Sequence, residues 1–84
     1  MIDQFFPGDL AYTTGQTLVC DEMRVRKGKN GLPQASMLAG IATEIPLGVL
    51  LYVLGVAQGR IFVFEPSRNR LGWCNSYDIM KDKT

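Results

Sequence analysis

Two apolar runs separated by three small or polar residues constrain this chain more than any other feature. Residues 47–56 read Leu-Gly-Val-Leu-Leu-Tyr-Val-Leu-Gly-Val and residues 60–64 read Arg-Ile-Phe-Val-Phe, with Ala57-Gln58-Gly59 between them. The first run is far short of the roughly 20 residues that span a bilayer, and Pro46 and Gly59 bound it, so it reads as a buried strand. Val49 to Val56 is apolar on both faces and is expected to be central and well covered. Arg60 to Glu65 is its antiparallel mate, with Ile61 and Val63 on one face and Phe62 and Phe64 on the other. The second face of the mate is either covered by another segment or open to a partner. Pro66 ends that strand because it has no N–H for the ladder. Ser67 to Arg70 reads as a solvated loop, Leu71 to Cys74 as a short strand, and Asn75 to Ile79 as a single helical turn. Residues 46–79 are thus half of a small β-barrel.

The remainder supplies further short strands. Residues 1–7 form a lead-in in which Phe5 and Phe6 precede Pro7, which favours extended backbone. Either one ring plugs an open end of the barrel or both are exposed as a self-association patch. Gly8 to Tyr12 starts the first strand, Thr14-Gly15-Gln16 is a turn signal, and Thr17 to Cys20 is extended. Asp21-Glu22 reads as a solvated turn. Met23 to Arg26 alternates, with both arginines facing water, and Asn30-Gly31 is a hairpin dipeptide. Gly40 costs a helix roughly 1 kcal/mol, and Ile41, Thr43 and Ile45 alternate. Residues 37–45 are therefore expected as a strand and 33–36 as loop. Residues 21–36 form a basic hairpin inserted into the barrel, and 81–84 are expected to fray. The whole, residues 1–84, is read as one domain.

Chemistry is sparse. The chain has no histidine, and Cys20 and Cys74 are far apart in sequence, so no metal-ligand spacing exists. Nothing resembles a nucleophile elbow or a phosphate loop. Cys74, between Trp73 and nearby Asp78, reads as a packed thiol. No catalytic residue, no cofactor and no metal is expected, and the chain is read as a non-enzyme. No signal peptide is evident, so a cytoplasmic location with reduced thiols is expected.

Binding is the expected activity. One surface is an aromatic groove of Tyr12, Phe62, Trp73 and Tyr77 that takes a peptide or another protein. An alternative is weak nucleic-acid contact through Arg24, Arg26, Lys27 and Lys29, the one charge cluster in the chain. Against it stand nine basic and eight acidic residues that nearly cancel. A third reading is a homodimer or small subunit of a homo-oligomer, whose second copy covers the apolar strand pair.

The order of these features resembles the carboxy-terminal half of an SH3-type barrel. Pro46-Leu47-Gly48 precedes the strand Leu51-Tyr52-Val53-Leu54, and Gly59-Arg60-Ile61-Phe62-Val63-Phe64 is similar to the aromatic strand that follows a glycine turn. Gly72-Trp73-Cys74-Asn75-Ser76-Tyr77 is similar to the Gly-Trp-Val ending of bacterial SH3 domains and the Pro-Ser-Asn-Tyr ending of eukaryotic ones. Leu10-Ala11-Tyr12 resembles the eukaryotic opening, and Pro7-Gly8-Asp9-Leu10 is similar to the start of small phage and mobile-element proteins. Ile61-Phe62 stand where eukaryotic members carry the tryptophan doublet that grips proline-rich peptides. The resemblance implies an all-β fold: an SH3-like small antiparallel barrel of five to seven short strands with one 3₁₀ turn near the C-terminus.

Overall fold

The computed structural model describes residues 4–82, and of Pro33 and Gln34 the backbone alone. Residues 1–3 of the expected lead-in and 83–84 of the expected tail lie outside the described residues. Among the described residues seven strands form one antiparallel sheet: β1 (Leu10–Thr13), β2 (Thr17–Lys27), β3 (Pro33–Ile45), β4 (Leu50–Ala57), β5 (Arg60–Glu65), β6 (Arg70–Asn75) and β7 (Ile79–Lys81). Their order across the sheet is β3-β2-β6-β5-β4-β1-β7. Short 3₁₀ turns at Pro66–Arg68 and Ser76–Asp78 join β5 to β6 and β6 to β7. No described helix is long and apolar enough to cross a membrane.

A lone sheet encloses a core only by curling, and this one wraps around Phe5, Ala11, Val19, Ile45, Leu51, Val53, Ile61, Val63, Cys74 and Ile79. The start of β2 is brought near the start of β7 by the turn after β1: the Thr14 N–H donates to the Asp78 carbonyl, 3.1 Å away, and the Thr17 hydroxyl reaches the same oxygen at 3.3 Å. Thr13 clamps the turn before β4, its Oγ1 donating to the Pro46 carbonyl and accepting from the Val49 N–H. Phe5 lies in the core, whereas Phe6 is exposed. Pairing continues beyond the expected end of order: Lys81 belongs to β7, and the Asp82 N–H donates to the Leu10 carbonyl.

Four local expectations are corrected. Thr17–Cys20 and Met23–Arg26 belong to one 11-residue strand, and Asp21-Glu22 is a β-bulge rather than a turn. There Cys20 pairs with Ala42 and Glu22 with Ala39, so Asp21 faces two residues, Gly40 and Ile41. The Asp21 carboxylate accepts from the Ile41 N–H at 2.7 Å, replacing a ladder bond. Gly40 has φ +79°, which favours glycine, and a Cβ there would sit 1.8 Å from Asp21 Oδ1, so any side chain would displace that carboxylate. Residues 33–36, expected as loop, belong to β3 because the hairpin ladder reaches Lys27↔Pro33. Residues 67–70 are exposed as expected, but Ser67 and Arg68 lie in a 3₁₀ turn and Arg70 is already in β6. Lastly, β4 is central between β5 and β1 but covered on one face only. Leu51 and Val53 are buried, while Leu50, Tyr52 and Leu54 are exposed, because every described strand joins the same sheet and none remains to form a second layer.

Candidate binding surface

Residues opposite one another in a ladder point to the same side of the sheet, so the register defines the composition of the outer face. One row runs Met80–Tyr12–Leu50 across β7, β1 and β4. The next runs Leu10–Tyr52–Phe64–Leu71 across β1, β4, β5 and β6. A third runs Phe62–Trp73–Cys20–Ala42 across β5, β6, β2 and β3. None of these side chains is charged. Leu10, Tyr12, Leu50, Tyr52, Leu71 and Met80 are 36–53% exposed. At roughly 200 Å² per large side chain they present about 500 Å², the upper end of the 300–600 Å² typical of the largest apolar patch on a monomer.

Of the four aromatic residues singled out from the sequence, Phe62 and Trp73 are in contact, with ring centroids 4.9 Å apart and planes tilted by 41°. Tyr12 lies on the same face but on β1, beyond β4, and its hydroxyl donates to Met80 Sδ at 3.2 Å. Tyr77 sits on the second 3₁₀ turn, 70% exposed, its N–H accepted by the Asn75 side chain; no described contact joins its ring to the other three. Sequence reasoning missed the residues that bridge the set. Tyr52 and Phe64 stack at 6.3 Å with planes 23° apart and lie between Tyr12 and the Phe62–Trp73 pair. The apolar second faces of β4 and β5 carried that signal.

The basic residues lie on the β2–β3 hairpin. Arg24 opposes Met37 and Arg26 opposes Ala35 on one side of the ribbon, with Lys27 at the end of β2. Lys29 lies in the tip, which the Gly28 N–H to Leu32 carbonyl bond closes. Arg24, Val25, Arg26, Ala35, Ser36 and Met37 line a shallow cleft of about 380 Å³. A second cleft of about 430 Å³, lined by Phe5, Phe6, Val56 and Ile61 among others, opens at one end of the core.

Neither thiol is set up for chemistry. Burial, and then the charge of Asp78, push Cys74 up to about 12, and burial likewise raises Cys20. Cys20 shares the Trp73 side of the sheet, so Cys74, one residue along β6, points to the opposite side and the two cannot bridge. Among the described residues no three His, Cys, Asp or Glu side chains are grouped to hold a metal ion. Among the described residues the one buried carboxylate, Glu65, accepts from Ser67 and Arg68 through Oε2, while Oε1 has no protein partner.

Comparison with family models, with curated proteins and with solved structures gives no match to this chain.

Proposed function

We propose that this chain is a non-catalytic binding module whose outer sheet face holds an extended segment of another protein. The observation that carries the reading is the uncharged apolar face formed by Tyr12, Tyr52, Phe64, Phe62 and Trp73 with their leucine neighbours. Aromatic side chains give contact area at low entropy cost and dominate binding energy where water is excluded. An extended segment fits better than a second copy. The face offers about 500 Å² against the roughly 800 Å² that each partner of a stable interface buries, and its outward curl lets a rigid copy touch only part of it.

The module is read as an SH3-like barrel. Supporting this are the pairing of the first and last strands, β1 with β7, the meander β4-β5-β6, and the 3₁₀ turn between β6 and β7. The β2–β3 hairpin then occupies the first long loop and extends the sheet through Cys20↔Trp73.

The test is selection of peptides from a random library on the immobilised chain, followed by titration against wild type and a Tyr12→Ala/Tyr52→Ser variant. Recovered peptides are expected to lose at least about tenfold in affinity, or about 1.4 kcal/mol, on the variant. Peptides that bind the variant equally well remove the outer face as the site. A dimer in light scattering that dissociates in the same variant transfers the face to self-association.

A further inference from the structure

The near-zero net charge conceals a separation of charge that the fold makes spatial. Residues 23–43, the outer part of the β2–β3 arm, hold Arg24, Arg26, Lys27 and Lys29 and no carboxylate, a charge of +4, while Asp21, Glu22 and Glu44 lie on the same two strands nearer the body. The other five Lys and Arg face all eight Asp and Glu, which leaves −3 for the rest of the chain. The described protein measures 42 × 28 × 19 Å along its principal axes, an elongated shape for its size. Glu22 pairs with Arg24 at 3.1 Å in the open, and none of the described ion pairs involves Arg26, Lys27 or Lys29.

We propose that the β2–β3 arm is a second binding site, which takes double-stranded DNA by laying its two-stranded ribbon against the phosphates and into the major groove. A ribbon of this kind is one of the two elements that the major groove of a B-form duplex admits. Arg24 and Arg26 are two residues apart on one strand, hence about 7 Å apart on one side, a spacing that meets successive phosphates. Their ladder partners Met37 and Ala35 are narrow and uncharged. The arm is also held in place. Arg60 donates to Ser36 Oγ at 3.2 Å and to the Ser36 carbonyl at 3.1 Å, while the Ser36 hydroxyl donates to the Gln58 carbonyl at 2.8 Å. The Asp21–Gly40 bulge fixes its departure from the body. The duplex is favoured over a single strand because the chain has no aromatic residue between Tyr12 and Tyr52, and single strands are held by stacking on aromatic rings. Duplex RNA is disfavoured because its major groove is too narrow to enter.

The experiment is fluorescence anisotropy of a labelled DNA duplex titrated with the full chain. With four phosphates neutralised, affinity falls about 100-fold between 50 and 200 mM salt. The variant Arg26→Gln/Lys27→Gln/Lys29→Gln keeps the wild-type denaturation midpoint, since all three side chains are exposed. It is expected to bind at least about tenfold more weakly at 50 mM salt, with a salt dependence reduced to about one contact. The proposal is overturned by no duplex binding at low salt, by an unchanged triple variant, or by single-stranded DNA or phosphatidylserine vesicles binding as tightly as the duplex.

Discussion

Replacing Gly72 by alanine strikes the one place where the arm is laddered to the rest of the sheet. β2 meets β6 in register at Cys20↔Trp73, and Gly72 lies directly beneath Val19. A methyl group on Gly72 would sit 2.4 Å from Val19 Cγ1 and 2.9 Å from the Cys20 carbonyl oxygen. Carbon atoms pack best at about 3.5–4.0 Å, so the strands must part by about 1 Å or Val19 must leave its rotamer. Val19 is 2% exposed in the core and the second obstacle is backbone, so neither yields easily. Overpacking of this kind costs about 1–3 kcal/mol, a large share of the stability of so small a domain. The melting temperature should fall by about 4–8 °C per kcal/mol. Urea denaturation reads the change directly, because Trp73 is the single tryptophan and adjoins the substitution. Val19→Ala removes the nearest clashing atom, so the double variant should lose about 1 kcal/mol less than the two single losses combined. A Gly72→Ala protein within about 0.5 kcal/mol of wild type, or strict additivity with Val19→Ala, refutes the close-approach account.

Three other outcomes follow from the geometry. Gly40→Ala forces alanine into a left-handed backbone and drives the Asp21 carboxylate off the Ile41 N–H. It should cost about 2–3 kcal/mol and speed hydrogen exchange at Ile41, whereas Asp21→Asn, which keeps an acceptor oxygen, should cost less than about 1 kcal/mol. The buried Cys74 thiol keeps its proton to about 12 while the unfolded thiol releases it near 9, so above pH 9 the unfolded state binds fewer protons. Stability should therefore decline as pH rises through that window, more steeply in wild type than in Cys74→Ala, and a disulfide reagent should label native Cys74 only as fast as the protein opens. The Phe6 N–H, and to a lesser extent Lys81, hold the Asp9 carboxyl below its usual 3.8. That contribution is present above the unfolded value and lost as pH falls below it, so Asp9→Asn should flatten acid denaturation in that range.

The sequence by itself determined much of the extended backbone and several of the turns, though not the continuity of β2 or the start of β3. Alternation in Met23–Arg26 and in Arg60–Glu65, Pro66 after β5, and glycine before β5 are local, and local periodicity sets which backbone is extended and which side chains share a face. It also placed Phe62 and Trp73 among the binding candidates, and they do meet. It did not reveal Tyr52 and Phe64 as the bridge to Tyr12, because that depends on which strands are neighbours and in what register. Nor did alternation say how many layers the strands would form: β4 carries the pattern of a strand covered on both faces, yet the described strands all join one sheet and its outer face stays open. Asp21-Glu22 has turn composition, and only the distant partner Gly40 makes it a bulge. Charge counting saw near-neutrality, and only the long β2–β3 ladder places Arg26, Lys27 and Lys29 at the far end of the arm, beyond Asp21, Glu22 and Glu44 on the same two strands. Local chemistry is fixed within a few residues along the chain, whereas coverage, register and the distribution of charge are set by contacts between segments far apart in sequence.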